Sequence, residues 1–347
     1  MRAAGVEPVV RSESLSVVGL VEVLEHLPRI YGEFRKLVKA ARDRRPDIAI
    51  LTDSPDFHLR LAPKLHQSRV PVVYLVAPQL WAWRESRVKI LRETVQRLLC
   101  IFPFEERFFC DRGVVATYIG HPLARMARPT MTKAEFFQRN RLNPERPLAA
   151  VLPGSRPGEI SRHIPPVAEG VAQIRKSRPD CQFVCGSPPG FSAAVNNGSS
   201  FWERFGRESI QIVEGLTWDL LAHADIALTA SGTVTIEAAV LGTPMVAFYR
   251  VSPLSWKLGR RLVKVPFLSM VNLVAGRGVV PELIQDDLEP GRLAAEGLRL
   301  LNDPKASAQM RADLKEVRDM LSAGEDPMDS AARVIETVLD KDTVNVE

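Results

Sequence analysis

Short apolar runs alternate with longer polar or amphipathic segments along most of the chain. The clearest run is Pro46-Asp-Ile-Ala-Ile-Leu-Thr-Asp53, which has the length of a single strand. A continuous apolar run of this kind is typical of a strand buried on both faces of a parallel sheet. Comparable runs occupy 69–77, 98–102, 115–119, 148–152, 182–185, 210–213, 225–228 and 245–248. The repeated order of strand and helix predicts an α/β fold with parallel sheets.

The pattern breaks once, over residues 124–147, which are polar and lack a strand pattern. A chain of 347 residues is long enough for two domains. We therefore expect a first Rossmann-like domain over residues 1–135 and a second over residues 145–325. A C-terminal helix and tail would follow over residues 326–347.

The stretch from residue 229 to residue 248 joins a strand to a helix through the turn Ser231-Gly232-Thr233. The helix is Ala-rich and should end at Gly242, two residues before Pro244. Because a helix N-terminus attracts anions and hydroxyl groups add donors, this turn predicts a phosphate site. Glu237 lies just inside the helix, where a carboxylate is better suited to accept hydrogen bonds from the sugar hydroxyls of a nucleotide. The alternative is an ordinary N-capped helix.

A second candidate anion site follows the run 148–152, which ends in Pro153-Gly-Ser-Arg156. Arginine is a strong charge-assisted donor to phosphate oxygens. We therefore expect Ser155 and Arg156 to contact a diphosphate. The alternative is a hinge turn between the two domains.

The first strand delivers a group of titratable side chains, Asp53, Asp56 and His58, at its C-terminal end. In open α/β sheets ligands bind at that end of the strands. These three residues are therefore the first candidates for acid–base chemistry. Asp53 could instead cap the helix that follows.

The segment 15–31 is apolar at nearly every position from residue 17 to residue 24, and seven basic residues follow between 29 and 45. An apolar segment next to a basic run suits an anionic membrane surface. The alternative is a core helix that leads into a solvated one. The expected membrane or acyl-chain contacts are Val17, Val18, Leu20, Val21, Val23, Leu24 and Leu27.

Composition narrows the class of protein further. With 46% hydrophobic and 25% charged residues, the chain has the composition of an ordinary soluble globular protein. Its net charge of +5 is a mild excess, and we expect no nucleic-acid partner. The four cysteines lack zinc-type spacing, and we expect neither a metal nor another cofactor. No run reaches the roughly 18–20 apolar residues of a transmembrane helix, and no signal-peptide pattern opens the chain.

Taken in order, the motifs of this chain resemble those of the lipid-A-disaccharide synthases, which are glycosyltransferases of the GT-B type. Single motifs such as Pro-Gly-Ser-Arg are only moderately specific, whereas the ordered set is highly specific and covers nearly the whole chain. The set comprises Thr52-Asp-Ser-Pro-Asp-Phe57, Ala77-Pro-Gln-Leu-Trp-Ala-Trp-Arg84, Phe102-Pro-Phe-Glu105, Gly120-His-Pro122, Leu152-Pro-Gly-Ser-Arg156, Ala230-Ser-Gly-Thr233 with Glu237, and Asn272-Leu-Val-Ala-Gly276.

The resemblance implies two Rossmann-like domains that face each other across a cleft, with the UDP-sugar bound by the second. It implies an inverting transfer from UDP-2,3-diacylglucosamine to 2,3-diacylglucosamine 1-phosphate, which yields UDP and the β-1,6-linked disaccharide 1-phosphate of lipid A and lipopolysaccharide biosynthesis. The resemblance further implies that the reaction needs no metal and takes place at the cytoplasmic face of the inner membrane. A homodimer is a possible oligomeric state.

The same resemblance suggests roles for individual residues. Asp53 would be the general base for the acceptor's 6-hydroxyl group, with His121 a weaker candidate in the cleft. Arg156, Ser231, Gly232 and Thr233 would hold the UDP diphosphate. Glu237 would bind the ribose, and Asn272 would line the donor side.

Two alternatives remain open. Another UDP-sugar enzyme of the same fold, such as a UDP-N-acetylglucosamine epimerase or the peptidoglycan transferase, would share the nucleotide motifs. The family also begins with a strand and a Gly-rich acidic turn for which this sequence has no counterpart, a difference of about 40 residues by the usual size of such a unit. We expect either an upstream in-frame extension or a UDP-binding chain without turnover.

Overall fold

The computed structural model describes residues 5–7, 9–10, 20–188, 205, 208–263 and 265–344. For residues 20–27, 258, 261 and 341–344 it describes the backbone alone. The chain forms two compact units, one made of Met1–Ile119 with Glu325–Glu347, the other of Gly120–Gly324. The boundary expected between residues 135 and 145 thus lies inside the second unit, and the C-terminal helix belongs to the first.

The first unit contains a four-stranded parallel sheet in which the strands follow one another in chain order, β1-β2-β3-β4. Its strands are β1 (Ala49–Thr52), β2 (Val72–Leu75), β3 (Arg97–Cys100) and β4 (Ala116–Tyr118). Its helices are α1 (Leu20–Arg44), α2 (Pro55–Gln67), α3 (Leu80–Trp83), α4 (Val88–Thr94) and α5 (Pro103–Cys110), with a 3-10 turn at Glu85–Arg87.

The core of the first unit explains why these segments adopt their elements. Leu98 of β3 and Leu59 of α2 are buried in one cluster, against which Phe34 and Leu37 of α1 also pack. On the other face of the sheet, Val73 and Leu99 pack against Ala331 and Val338 of the C-terminal helix. Strands with apolar residues on both faces need a helix layer on each side, and the C-terminal helix supplies part of the second layer.

The second unit contains a six-stranded parallel sheet of order β10-β9-β8-β5-β6-β7. Read from the other edge, this is the doubly wound strand order of a dinucleotide-binding fold, in which strands are added in one direction from the first strand and in the opposite direction from the fourth. Here that switch point lies between β5 and β8. The strands are β5 (Leu148–Leu152), β6 (Gln182–Ser187), β7 (Gln211–Glu214), β8 (Ile226–Ala230), β9 (Met245–Tyr249) and β10 (Glu282–Ile284).

Helices cover this second sheet. They are α6 (Leu123–Met126), α7 (Lys133–Arg139), α8 (Pro157–Ser177), α9 (Thr217–His223), α10 (Thr233–Leu241), α11 (Pro253–Leu262), α12 (Met270–Ala275), α13 (Pro290–Asn302) and α14 (Pro304–Leu321), with a 3-10 turn at Gln285–Asp287. The C-terminal helix of the first unit is α15 (Pro327–Val344). As expected, α10 ends at Gly242, whose φ of 74° places it in the left-handed region that glycine adopts readily.

Candidate active site

The switch point of the second sheet carries both predicted anion-binding turns. β5 and β8 are neighbours in the sheet and run parallel, with Leu152 opposite Thr229. Residues 153–156, here called the 153–156 loop, leave the C-terminal end of β5, and residues 231–233 leave that of β8. In open α/β sheets ligands bind in the crevice outside such strand ends.

A cavity of about 660 Å³ lies at this place. Its size is in the range of small-molecule and cofactor sites. All predicted nucleotide contacts except Asn272 line the cavity. Its lining comprises Thr130, Leu152, Gly154, Ser155, Arg156, Glu159, Gly186, Pro188, Gly215, Thr217, Trp218, Asp219, Ala230, Ser231, Gly232, Thr233, Val234, Glu237 and Tyr249.

The 153–156 loop is shaped by a glycine and held by a buried histidine. Gly154 has a φ of 116°, and a Cβ atom there would lie 3.2 Å from an oxygen of Glu159. Glycine is the residue that adopts this conformation without strain. The buried His163 on α8 donates from Nδ1 to the carbonyl oxygen of Pro153 at 2.7 Å. Its Nε2 accepts from the backbone N–H of Arg250 at 2.9 Å, so the neutral tautomer is fixed by its two partners.

Two helices begin at the cavity. Arg156 is the N-cap residue of α8, and Gly232 is that of α10. Pro157, the first residue of α8, has no N–H, and the N–H groups of Glu159 and Thr235 bond to the carbonyl oxygens of the two cap residues. The N–H groups of Gly158, Thr233 and Val234 remain for an anion. The Ser231 hydroxyl donates to the carbonyl oxygen of Leu268 at 3.2 Å, whereas Thr233 is exposed.

Two aromatic residues that the sequence patterns did not single out belong to the site. Trp218 of α9 hydrogen-bonds the carboxyl group of Glu237, whose pKa is raised because the group is buried. Tyr249, at the end of β9, donates to Glu159 at 3.3 Å, and Glu159 also pairs with Arg156 at 2.9 Å. A signal for Tyr249 was available, since it ends a strand of the same sheet. Trp218 lies in a helix whose distance from the turn could not be read from sequence.

Asn272 lies elsewhere. It is 1% exposed, and its amide makes four hydrogen bonds. Nδ2 donates to Val280 O at 2.9 Å and Glu282 Oε1 at 2.8 Å, while Oδ1 accepts from the N–H groups of Val279 and Val280. These bonds saturate the amide and hold the segment before β10, so this geometry does not support the expected donor-side role.

Asp53 lies at the C-terminal end of β1 in the first unit, with an exposed side chain. Asp53 and Ser54 have φ angles of 56° and 40°, in the left-handed region that non-glycine residues rarely occupy. The Asp53 carbonyl oxygen accepts from the Tyr74 hydroxyl at 2.9 Å and lies 2.8 Å from His58 Nδ1. The N-cap of α2 is Ser54, so Asp53 does not fill that position.

The other predicted acid–base residues have structural partners. Asp56 accepts hydrogen bonds from both Arg84 and Arg87 at 2.5 Å. Burial tends to raise its pKa, but the two guanidinium groups bring the net result below the usual range. His121, in the second unit, is buried, and its Nδ1 accepts from the N–H of Leu123 at 3.1 Å. Burial lowers the pKa of His121 to about 4. His121 does not line the cavity.

Two further expectations concern metals and membranes. Among the described residues, no group of three or more His, Cys, Asp or Glu side chains could hold a metal ion. No helix within the described ranges has the length and apolar character needed to cross a membrane. Val17 and Val18 lie outside the described residues. Leu20, Val21, Val23, Leu24 and Leu27 fall on the first turns of α1, where only the backbone is described.

Solved structures of low sequence identity share this fold. The UDP-GlcNAc 2-epimerase from Neisseria meningitidis bound to UDP-GlcNAc gives a TM-score of 0.59 at 13% identity, covering 96% of this chain and 84% of the other. The spinosyn rhamnosyltransferase SpnG complexed with thymidine diphosphate gives 0.55 at 15% identity, covering 89% and 78%. The two Rossmann-like α/β units therefore have the GT-B fold, which confirms the predicted fold class.

Sequence comparison identifies the family within this class. The family model described as lipid-A-disaccharide synthetase matches residues 1–335. The lipid-A-disaccharide synthase of Solibacter usitatus is 54% identical over 346 residues, covering 100% of this chain and 89% of that protein. That of Geobacter sulfurreducens is 40% identical over 324 residues, covering 93% and 84%. The chain belongs to the lipid-A-disaccharide synthase family and is a glycosyltransferase, which confirms the resemblance seen in its motifs.

Proposed function

We propose that this protein transfers the 2,3-diacylglucosaminyl group of UDP-2,3-diacylglucosamine to the 6-hydroxyl of 2,3-diacylglucosamine 1-phosphate. The products are the β-1,6-linked disaccharide 1-phosphate and UDP. The observation that supports this proposal is the cavity at the switch point, lined by the two turns predicted to bind an anion, in a chain of this family.

The donor would bind in the second unit. Arg156, Ser155 and the turn Ser231–Thr233 would contact the diphosphate, because N–H groups, hydroxyls and a guanidinium converge there. The carboxylate of Glu237, already hydrogen-bonded by Trp218, would accept from the ribose hydroxyls. The solved neighbours that carry UDP-GlcNAc or thymidine diphosphate are consistent with a nucleotide in this fold.

In the proposed reaction, Asp53 takes the proton of the acceptor's 6-hydroxyl as that oxygen forms a bond to the anomeric carbon of the donor. The bond from this carbon to the diphosphate oxygen breaks, and its electron pair leaves with UDP. Attack from the face opposite the leaving group inverts the anomeric centre. Arg156 and the N-termini of α8 and α10 would stabilise the growing negative charge on the diphosphate, without a metal.

Both substrates carry acyl chains, so we further propose that the protein works at the cytoplasmic face of the inner membrane. The apolar segment 17–27, followed by Arg29, Arg35, Lys36 and Lys39, supports this placement. Changing several of its Val and Leu residues to Ser should release the protein from membranes without lowering its melting temperature. A much lower melting temperature would instead identify the segment as core. Whether the working form is a homodimer is a question for analytical ultracentrifugation.

The reaction is tested by incubating the purified chain with both lipids in detergent micelles and analysing the products by mass spectrometry. We expect the disaccharide 1-phosphate and an equal amount of UDP, formed only when both substrates are present. A change of the donor into its 2-epimer would identify an epimerase instead. Binding of UDP without any disaccharide would show a chain that holds the nucleotide but does not turn over.

A further inference from the structure

The second unit has an exposed apolar strip on helix α11. Leu254 is 70% exposed and Leu262 is 52% exposed. Positions eight residues apart lie about 80° apart around a helix with 3.6 residues per turn, so the two leucines share one side. The N-terminus of the helix is well capped, because Pro253 is its first residue and the Ser252 hydroxyl accepts from the N–H of Ser255 at 3.1 Å.

All the charged residues near this strip in the sequence are basic. Between Glu237 and Glu282 there is no acidic residue, whereas six basic residues occur there: Arg250, Lys257, Arg260, Arg261, Lys264 and Arg277. Two of the six have partners outside α11, since Arg250 donates to the backbone carbonyls of Gln285 and Leu288, and Arg277 pairs with Asp313 and Glu316. The other four fall within residues 257–264, on α11 and directly after it.

Lys257 borders the strip on the side of Leu254, whereas Arg260 lies about 120° from Leu254 around the helix. Lys257 is exposed and lies three residues after Leu254, about 60° away around the helix. Among the residues that the structure describes, no carboxylate forms an ion pair with Lys257 or Arg260. Trp256, on the opposite side from Leu254, is half-buried. An apolar strip with an unpaired lysine beside it, on a helix whose other charged residues are also basic, fits the boundary between hydrocarbon and anionic headgroups.

We propose that α11 is a membrane-contacting surface whose partner is an anionic phospholipid bilayer, with Leu254 and Leu262 entering the headgroup region and Lys257 lying among the headgroups. A second copy of the chain would need acidic groups opposite the basic stretch, and a nucleic acid would leave the leucines in water. The surface lies in the unit that holds the nucleotide cavity, so it would bring the donor-binding unit itself to the bilayer. It adds to the N-terminal segment, which belongs to the other unit.

The proposal is tested with the full chain and sedimented vesicles of phosphatidylcholine, with or without about a third of phosphatidylglycerol. The wild-type protein should sediment mainly with the anionic vesicles, and salt should release it. The double variant Leu254→Ser/Leu262→Ser should bind these vesicles at least about tenfold more weakly, because both side chains lose their apolar contact. Lys257→Gln should weaken binding about fivefold, as one basic residue near an anionic surface does.

Matched controls come from exposed positions elsewhere. Met320→Ser and Met328→Ser change side chains that are 44% and 45% exposed, and Lys305→Gln removes an exposed charge. These variants should bind vesicles like the wild-type protein. UDP affinity and activity in detergent micelles should be unchanged in the α11 variants. This readout separates failure of the membrane surface from failure of the proposed reaction. The membrane proposal rests on the proposed function only because the proposed substrates are lipids.

Several results would overturn the proposal. Equal binding of the double variant and the wild-type protein would place the membrane contact elsewhere. Equal binding to neutral and anionic vesicles would remove the role of the basic residues. A large fall in melting temperature of the double variant would show that the leucines are packed. Dissociation of a wild-type dimer by the double substitution would make α11 an interface between copies of the chain.

Discussion

His163 makes one hydrogen bond to the 153–156 loop, at Pro153, and one outside it, at Arg250, and two substitutions can remove these bonds separately. Asparagine places its side-chain NH₂ near the position of Nδ1, so His163→Asn can still donate to the carbonyl of Pro153 but leaves the N–H of Arg250 unpaired. Glutamine places its carbonyl oxygen near the position of Nε2, so His163→Gln keeps the bond from Arg250 and abandons Pro153.

Both variants should be less stable by similar amounts. His163 is 0% exposed, and a buried polar group left without its partner costs about 1–3 kcal/mol. For a unit the size of Gly120–Gly324, each kcal/mol corresponds to a fall of about 2–4 °C in melting temperature. We therefore expect falls of roughly 2–12 °C for each variant, measured by scanning calorimetry.

The two variants should differ in their affinity for UDP. Only His163→Gln releases the loop that presents Ser155 and Arg156, so only this variant loses part of the preorganised site. A loss of 1–2 kcal/mol corresponds to roughly a 5–30-fold weaker affinity, measurable by titration calorimetry. His163→Asn should bind UDP within about twofold of the wild-type protein at the same temperature.

The control is Ile164→Val, the next residue of α8, which is also 0% exposed but has no polar contact with the loop. It should lower stability by about 0.5–1.5 kcal/mol and leave UDP binding unchanged. If His163→Asn and His163→Gln weaken UDP binding equally, the weakening follows from the loss of stability and not from the bond to Pro153. That result would refute the reasoning about the loop. Equal, unperturbed binding by both variants would refute it as well.

The remaining predictions use the same preparations. Asp53→Asn should lower kcat by about 10²–10⁴ while UDP still binds, and near-normal turnover would assign Asp53 a structural role. Asn272→Ala should lower stability by roughly 3 kcal/mol with UDP affinity unchanged; weaker UDP binding at normal stability would restore it to the nucleotide site. UDP affinity should be the same in EDTA and in Mg²⁺, and a tenfold gain with Mg²⁺ would contradict a metal-free site. Burial raises the pKa of Glu105 from 4.5 to about 7 despite its bonds from Trp81 and Phe102. Stability from this protonated group is complete below about pH 4.5 and is lost as pH rises through about 7. At about 1.36 kcal/mol per pH unit the loss is roughly 3 kcal/mol, and it should disappear in Glu105→Gln when urea midpoints are compared between pH 5 and pH 8.

The parallel sheets and the two turns that line the cavity could be predicted because their signals are local. A buried parallel strand reads as one apolar run, and a Gly-Ser or Ser-Gly turn at its end needs no knowledge of the rest of the chain. Strand order then brings the turns together: Leu152 and Thr229 are 77 positions apart, yet they face each other across β5 and β8. The predicted residues Ser155, Arg156, Ser231, Gly232, Thr233 and Glu237 all reach one cavity for this reason.

The features that the sequence could not place depend on packing between segments that are distant in sequence. Asn272 has the residue type of a ligand contact, but its amide forms all its hydrogen bonds with residues 279–282, a pairing that the sequence pattern does not show. The C-terminal helix α15 has an amphipathic pattern that suits either unit. Its contact with Val73 and Leu99 places it in the first unit. Trp218 and His163 are likewise ordinary helical residues until the fold brings them to the cavity and its loop.

The charges around the cavity limit how it can recognise a nucleotide. Among the residues that the structure describes, one guanidinium group, Arg156, and three carboxyl groups, Glu159, Asp219 and Glu237, line it, so these side chains together give a diphosphate no net attraction. Asp219 already accepts from the N–H groups of Thr130 and Met131, and burial raises the pKa of Glu237.

We therefore expect recognition to depend on Arg156 together with directed N–H donors in the first turns of α8 and α10, which act only over hydrogen-bond distance. Carboxylates that disfavour a bare anion are well suited to accept from sugar hydroxyls. We therefore expect such a cavity to select a phosphate that is attached to a sugar. We also expect the course of the 153–156 loop to matter more for affinity than the charge of the surrounding surface.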